Sequence, residues 1–383
     1  SSGTASAAGA RLAAAARRRA IDVLIASEGR YSLVSELAGG LQVDLDNPAA
    51  LQQLLEANAR HAFAGVVATD DAVVELGTNS PGEIARLAQI CAPDIGVVTN
   101  VGPAHLEGLG SLDGVMREKE QLIKHLKAGG KAVLNADDRR VYQMANRTER
   151  EVLLFGLSKN AGIRATAVNE RKRGISFTLH LPDEHLTVSL NVPGQFMVLN
   201  ALAAAAVGYL LELSAEEIKA GLESFEPVWG RMDIFQTANG IHIIDDTYNA
   251  NPESMKAAIT TLRTLRRNNR SLVVAGDMLE LGDQSEALHK QVGAWAAAAN
   301  IHKLLVTGEF ANAVAAGAMK AKMKPADIFT GSRDEIIDTL KQSLKTGDWV
   351  LIKGSRGARM ETVVEDLKSW AGIEEDPELR TED

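Results

Sequence analysis

The chain has 383 residues, of which 45% are apolar and 24% charged, and its formal net charge is −9. This length predicts two or three domains with sizeable cores. No apolar run reaches the length of a membrane span, and the acidic balance argues against a nucleic-acid partner. The single cysteine, Cys91, excludes an internal disulfide framework and indicates a reducing, cytoplasmic compartment.

Region 1–68 has the least regular pattern. Residues 1–20 are rich in Ser, Ala and Arg, which is typical of a tail, and Ser1 at the start leads us to expect a cut or engineered beginning. We predict a helix over 48–60 and a strand over 64–68, after which residues 69–71 lead at once into the next strand. We therefore expect a truncated or altered N-terminal region.

Strands and helices alternate regularly from 69 to 232, which predicts an α/β domain with a parallel sheet. A strand-rich patch over about 152–192, in which apolar residues alternate at 175–181, predicts a small antiparallel insert. The predicted strands lie at 72–77, 95–101 and 131–135, and the predicted helices at 82–91, 113–127, 138–146, 197–212 and 215–224.

A second alternation over 233–373 predicts a self-contained Rossmann-like domain of ordinary size. His289 falls in its second helix, where we expect it on the surface. Residues 374–383 form an acidic tail. The predicted strands lie at 241–245, 271–275, 303–307, 327–330 and 348–353, and the helices at 253–265, 285–299, 310–321, 333–344 and 358–370.

The most informative stretch is 245–255, which reads Asp-Asp-Thr-Tyr-Asn-Ala-Asn-Pro-Glu-Ser-Met and joins an apolar run to a predicted helix. Ligands of open α/β sheets bind just beyond the carboxyl ends of strands. Two carboxylates, two amides, a hydroxyl and a phenol at such a place indicate a ligand site. Asp246 or Asn251 would alternatively only cap the helix, and the residues alone leave both interpretations open.

This stretch resembles the signature loop of the Mur ligases, and the resemblance runs from about 71 to 371. It implies a central parallel-sheet ATPase domain followed by the Rossmann-like ligase domain. It also implies ATP-dependent amide formation, in which an acyl phosphate of UDP-N-acetylmuramoyl-tripeptide is attacked by the amine of D-alanyl-D-alanine. We accordingly expect ATP and Mg²⁺ as cofactors, these small molecules as substrates, and a monomer.

Four catalytic residues are implied by the resemblance. Glu75, His105 and Lys119 match magnesium ligands, with Lys119 as a carbamate, and Arg231 lies at the junction of the two domains. Each has a plainer alternative. Glu75 ends a strand that we expect to be buried, and it could cap the following helix or form a salt bridge with it. His105 could be an ordinary loop histidine, Lys119 an exposed helical lysine, and Arg231 half of an interdomain ion pair.

The remaining implied site residues fall into two groups. Asp138 is alternatively a helix cap, and Phe196 and Met197 replace the His-Asn pair usual before Asn200. Residues 353–357 form a glycine-rich, cationic segment between a strand and a helix, by itself a weak phosphate or carboxylate motif. The nucleotide contacts implied are Asn135, Asp138, Asn200, Arg231, Asp246 and Asn249, and the substrate contacts are Tyr248, Asn251, Lys353, Ser355 and Arg356.

The phosphate-binding signature Gly-x-x-x-x-Gly-Lys-Ser/Thr is absent from the sequence. The one Gly-Lys pair, Gly130-Lys131, is followed by Ala132. Backbone N–H groups and a lysine hold the phosphates in such loops, so the absence predicts weak ATP binding and slow turnover. Three alternatives follow: a catalytically impaired relative, a module that binds UDP-muramoyl peptide without chemistry, and an altered or wrongly translated gene segment over 1–70.

Overall fold

The computed structural model describes residues 21–26, 71–171, 174–225 and 230–372, which form two α/β domains in series. None of the helices in these ranges combines the length and apolarity that a bilayer crossing demands. The predicted helix over 48–60, the predicted strand over 64–68 and the two tails lie outside the described residues.

The central sheet has eight strands in its described part: β1 (Ile21–Ala26), β2 (Asp71–Leu76), β3 (Ile95–Val98), β4 (Lys131–Asn135), β5 (Glu151–Gly156), β6 (Ile163–Arg171), β7 (Gly174–His180) and β8 (His185–Leu190). Their spatial order is β2-β1-β3-β4-β5-β6-β7-β8. Pairing is parallel from β2 to β6 and antiparallel from β6 to β8. The predicted parallel sheet with an antiparallel insert is confirmed.

Helices cover this sheet, and small polar residues set where several of them begin. Ser111 accepts the backbone N–H of Gly114 at the start of the helix over 112–124, and Ser214 forms a capping box with Glu217 at the start of the helix over 215–223. The helices are α1 (Glu83–Cys91), α2 (Leu106–Leu109), α3 (Leu112–Lys124), α4 (Arg139–Ala145), α5 (Gln195–Leu210) and α6 (Ala215–Glu223).

The C-terminal sheet contains β9 (Asp233–Gln236), β10 (His242–Asp246), β11 (Ser271–Ala275), β12 (Lys303–Val306), β13 (Ile328–Thr330) and β14 (Trp349–Lys353). Its order is β13-β12-β11-β14-β10-β9, with only β9 antiparallel to its neighbour. The predicted Rossmann-like alternation is confirmed. The helices are α7 (Pro252–Leu265), α8 (Ser285–Ala298), α9 (Ala311–Lys320), α10 (Arg333–Ser343) and α11 (Glu361–Ala371).

Two strands were not predicted. β9 lies at the edge of the C-terminal sheet, whereas β1 lies inside the central sheet between β2 and β3. The sequence of β1 from Val23 to Ala26 is apolar, a composition typical of strands in parallel sheets. The last helix also begins later than predicted, since residues 356–358 form a short 3₁₀ turn and Arg359 adopts a left-handed φ of 50°.

Candidate functional site

A cleft opens where the loops after β10, β11 and β14 meet. β14 lies between β10 and β11, so the carboxyl ends of these three parallel strands are adjacent, and this is where open α/β sheets bind ligands. The loop before α2 closes the cleft from the central domain. The cleft has a volume of about 40 Å³ and is lined by Ala104, His105, Tyr248, Asn249, Ala250, Asn251, Leu279, Glu280, Ser355, Arg356 and Gly357.

Asp246 and Lys353 form a buried ion pair beneath the cleft. Lys353 Nζ lies 2.6 Å from Asp246 Oδ2 and also donates to the carbonyl oxygen of Asn249 at 2.8 Å. Asp246 Oδ1 accepts the backbone N–H of Met232 at 3.2 Å. The pair therefore holds the signature loop onto β14 and onto the junction between the domains. Contacts of Asp246 and Asn249 with a nucleotide, and of Lys353 with a substrate, stay predictions.

Asp245 points away from Asp246, as successive residues of a strand do. Its side chain is fully buried, and its Oδ1 accepts the backbone N–H of Thr247 at 3.2 Å and the Thr247 hydroxyl at 2.7 Å. Within the described residues Oδ2 has no hydrogen-bond partner. Burial raises the pKa of the Asp245 carboxyl, because an apolar environment disfavours the charged form. Asp245 is one of the two carboxylates of the stretch predicted to be a ligand site, but it does not line the cleft.

Ser355 and Asn251 fix the backbone of the cleft. Ser355 Oγ donates to the carbonyl oxygen of Ala250 at 3.1 Å and accepts the backbone N–H of Leu279 at 3.0 Å, which ties together the loops after β10 and β11. Asn251 Oδ1 accepts the backbone N–H of Ser254 at 2.8 Å, within a capping box at the start of α7. The capping alternative is confirmed for Asn251. Substrate contacts of Ser355 and Asn251 stay predictions.

Two arginines stand at the rim of the cleft. The Arg231 guanidinium lies 4.3 Å from the ring centroid of Tyr248, whose backbone N–H donates to the carbonyl oxygen of Gly230 at 3.0 Å. Arg356 lies 3.7 Å from the Glu361 carboxylate, and its side chain remains 46% exposed. Both arginines keep solvent-facing positive charge, so they are the side chains of this region best placed to meet an anionic ligand.

The central domain meets the cleft through His105. This residue precedes α2 with a left-handed φ of 53°, and its Nδ1 lies 2.5 Å from Oε2 of Glu280. Glu280 belongs to the loop after β11, in the segment 276–282. The sequence alone did not assign Glu280 to the site, since no local pattern links residues 175 positions apart.

Lys119 and Glu75 lie differently from the positions expected of them. Lys119 is only 2% exposed on α3, and its Nζ donates to the carbonyl oxygen of Asn100 at 2.9 Å, so the exposed-lysine alternative is wrong. Glu75 is exposed rather than buried, because β2 is the edge strand of the sheet. Lys119 thus contacts the loop that leads to His105.

The donor atoms that Glu75, His105 and Lys119 offer decide whether Mg²⁺ could bind to them. Among the described residues, no group of three or more His, Cys, Asp and Glu side chains is arranged to hold a metal ion. An ammonium at Lys119 is a hydrogen-bond donor and repels a cation. A carbamate at Lys119 would add anionic oxygens, the ligands that Mg²⁺ prefers. The set of Glu75, His105 and Lys119 therefore suits Mg²⁺ only with Lys119 modified.

Asn135 and Asp138 hold the loop after β3, which leads to His105. Asn135 Nδ2 donates to the carbonyl oxygen of Thr99 at 2.8 Å, and Asn135 Oδ1 accepts the backbone N–H of Asp137 at 2.8 Å. Asp138 Oδ1 caps the first turn of α4, while its Oδ2 accepts the backbone N–H of Val101 at 2.7 Å. The capping alternative for Asp138 is confirmed, and nucleotide contacts of both residues stay predictions.

Asn200 lies outside the cleft. It is exposed on α5, its Nδ2 lies 3.7 Å from Met197 Sδ, and it lines a separate apolar pocket between α5 and α6 that includes Ile218 and Phe225. Its predicted nucleotide contact therefore has no geometric support from the cleft.

His289 is buried, and the prediction that it lies on the surface is wrong. Only 1% of it is exposed, and its ring stacks on Phe310 at 4.6 Å. Nδ1 donates to the carbonyl oxygen of Ser285 at 2.7 Å, and Nε2 accepts the backbone N–H of Met278 at 2.9 Å. Burial lowers the pKa of His289. The histidine therefore supports the loop that carries Glu280.

A parallel-sheet domain followed by a Rossmann-like domain, with a polar cleft between them, defines a two-domain α/β protein built to bind ligands at their junction. The family models identify it further: the Mur ligase middle domain matches residues 23–208, and the Mur ligase, glutamate ligase domain matches residues 230–356. The chain belongs to the Mur ligase family. The match begins at 23, so the expectation that the resemblance starts near 71 is wrong.

Individual relatives agree with this assignment. The chain is 32% identical over 299 residues to the UDP-N-acetylmuramoyl-tripeptide--D-alanyl-D-alanine ligase of Bacillus subtilis, covering 78% of this chain and 64% of the relative. It is 31% identical over 332 residues to the ligase of that name from Haemophilus influenzae, covering 86% and 69%. A crystal structure of MurF from Acinetobacter baumannii superposes with a TM-score of 0.76 at 28% identity, covering 94% of this chain and 78% of that one. The chain thus spans less than two thirds of the Bacillus subtilis relative.

Proposed function

We propose that this chain carries out the ATP-dependent joining of D-alanyl-D-alanine to UDP-N-acetylmuramoyl-tripeptide. The observation that carries the proposal is the cleft between the domains, which both domains line with polar side chains. The substrates are proposed because the relatives similar to this chain bear that activity in their names.

The proposed reaction has two steps. A carboxylate oxygen of the tripeptide attacks the γ-phosphorus of ATP and releases ADP, which leaves an acyl phosphate. The amine of D-alanyl-D-alanine then attacks the acyl carbon, forms the amide and expels inorganic phosphate. Contact between the domains shields the acyl phosphate from water. Arg231 and Arg356, at the rim, meet the phosphate charge, and Tyr248 and Asn249 orient the reactants within the cleft.

Glu75, His105 and a carbamate on Lys119 would hold Mg²⁺. When bound, the ion supplies neutralisation of phosphoryl charge. The position of Lys119, buried on α3 and in contact with the loop that leads to His105, supports its place in this set.

A second candidate function is binding of UDP-muramoyl peptide without turnover. One observation favours it: the sequence contains no Gly-x-x-x-x-Gly-Lys-Ser/Thr signature. Without the backbone donors and the lysine of such a loop, the phosphates of ATP lose their principal partners.

Phosphate release and calorimetry on the purified chain separate the two candidates. Release is measured with ATP, Mg²⁺, UDP-muramoyl-tripeptide and D-alanyl-D-alanine together, and then with each peptide substrate omitted. Phosphate release that requires both peptide substrates supports the ligase. Binding of UDP-muramoyl-tripeptide without phosphate release supports the binding module. Absence of both binding and release contradicts both candidates.

A further inference from the structure

One contact between the domains joins two residues with unusual backbones. His105 and Glu280 both adopt left-handed conformations, with φ of 53° and 64°. Such conformations are uncommon for residues other than glycine and are kept where the surroundings impose them. The His105 ring and the Glu280 carboxylate meet at 2.5 Å, with side chains 13% and 24% exposed. Both unusual backbones therefore serve a single, largely shielded contact.

The direction of the hydrogen bond follows from the chemistry of the partners. A carboxylate only accepts, so Nδ1 of His105 carries the hydrogen and donates it to Glu280. Because the partner of one ring nitrogen fixes the tautomer, Nε2 of the neutral ring keeps its lone pair. The carboxylate thus sets both the orientation of the His105 ring and the nitrogen available to a ligand.

Backbone contacts place the two loops against each other at the same point. The N–H of Glu107 donates to the carbonyl oxygen of Glu280 at 3.3 Å. Gly282, with a φ of 56°, approaches so closely that a Cβ there would lie 3.3 Å from Glu107 Cα. Leu281, which lies between Glu280 and Gly282 in the sequence, is 1% exposed and belongs to the apolar cluster that also contains Leu106 of α2. The C-terminal loop is therefore seated on the start of α2.

We propose that Glu280 is a positioning residue supplied by the C-terminal domain to the site of the central domain. It orients the His105 ring and holds the two domains together at the cleft, so that the ring is set correctly only when the domains are in contact. This inference rests on the proposed function for its purpose, but its geometry stands on the contacts of Glu280 alone.

Glu280→Gly tests the proposal without adding strain, because glycine adopts a φ of 64° freely. Glu280→Gln keeps an acceptor oxygen and is the conservative variant. Arg359→Gly is the matched control: Arg359 also has a left-handed backbone, with a φ of 50°, is exposed in the C-terminal domain and takes no part in the contact between His105 and Glu280. All three variants are expected to keep the thermal unfolding temperature of the parent protein.

The interdomain distance is measured by double electron–electron resonance between spin labels on Lys159→Cys and Lys324→Cys, which are both exposed positions. Cys91→Ser removes the native thiol so that only these two positions are labelled. Glu280→Gly should broaden the distance distribution towards longer values, whereas Glu280→Gln and Arg359→Gly should match the parent. A Glu280→Gly distribution identical to the parent overturns the role of Glu280 in holding the domains together.

Long-range ¹H–¹⁵N spectra report which ring nitrogen of His105 carries a hydrogen. The parent and Glu280→Gln should show a protonated Nδ1, and Glu280→Gly a mixture of tautomers. An unchanged tautomer in Glu280→Gly overturns the positioning role. Neither the distance measurement nor the spectra require turnover, so both remain interpretable if the proposed ligase activity is absent. A negative result in either of them would in turn leave the ligase activity untested.

Discussion

The buried ion pair between Lys353 and Asp246 decides how firmly the signature loop is held. The two side chains are only 3% and 13% exposed, and nitrogen and oxygen lie 2.6 Å apart. Lys353→Met keeps the apolar stem but leaves the Asp246 carboxylate and the Asn249 carbonyl without this donor. Removing one partner of a buried pair costs about 3–5 kcal/mol. We expect a loss of that size in the free energy of unfolding of the C-terminal domain.

Lys290→Met is the matched control. Lys290 Nζ also lies 2.6 Å from its partner, Glu286, but these side chains are 48% and 67% exposed. Pairs of this kind contribute about 0–1 kcal/mol. Urea unfolding followed by circular dichroism measures both variants, and adding Asp246→Asn to Lys353→Met should recover part of the loss, since it removes the stranded charge. A Lys353→Met loss no larger than that of Lys290→Met would refute the reasoning.

Three further predictions concern stability. Asp245→Asn should stabilise the protein near neutral pH, because burial disfavours the charged Asp245 carboxylate and asparagine carries no charge. The raised pKa of Asp245 means that the parent protein loses stability as the pH rises through that pKa, so the stabilisation by Asp245→Asn, measured in urea titrations, should vanish below about pH 3.8. A stabilisation that persists below this pH would count against burial of the charge as the cause. The lowered pKa of the buried His289 means that the folded protein resists protonation, so its stability should fall as the pH drops below about 6.5. His289→Gln should reduce this dependence of stability on pH in urea titrations, and an unchanged dependence would contradict the prediction. Gly293→Ala should lower the free energy of unfolding by about 1–3 kcal/mol or more, since a Cβ would lie 1.9 Å from the Val314 carbonyl oxygen. Gly221→Ala, in a helix with open space around the position, should raise it by about 0.5–1 kcal/mol. Equal melting temperatures for the two variants would disprove this prediction.

Regular patterns along the chain predicted most of the architecture. The apolar run 241–244, the polar stretch after it and Pro252 at the first position of α7 are local signals, and the strand, loop and helix occur where these signals place them. β1 was missed because its six residues follow a Ser-, Ala- and Arg-rich stretch and lack a neighbouring helix pattern. Its apolar run Val23 to Ala26 was nevertheless the available signal.

The positions of individual side chains were harder to predict than the elements. Lys119 lies on the buried stripe of α3, four residues after Val115 and three before Leu122, so helical spacing could have identified its burial. His289 lies three residues before Val292 on the buried stripe of α8, but this signal is weaker, because α8 is rich in alanine and its two faces differ less in sequence than those of α3. The contact between His105 and Glu280 depends on how two domains meet, which no local pattern encodes.

The position of β1 changes where a phosphate-binding loop should be sought. Ala26, the last residue of β1, pairs in register with Leu76 of β2 and Val98 of β3, so all three strands end at the same edge of the sheet. The loop after β3 leads from that edge to Asn100 and His105. Phosphate loops follow a strand in such sheets, and therefore the segment after Ala26, rather than residues 69–71, is the one whose sequence bears on ATP binding. That segment begins Ser-Glu-Gly-Arg and contains no Gly-Lys pair, so weak ATP binding is expected at this position too. The strand before it, β1, pairs with β3, whose following loop carries His105.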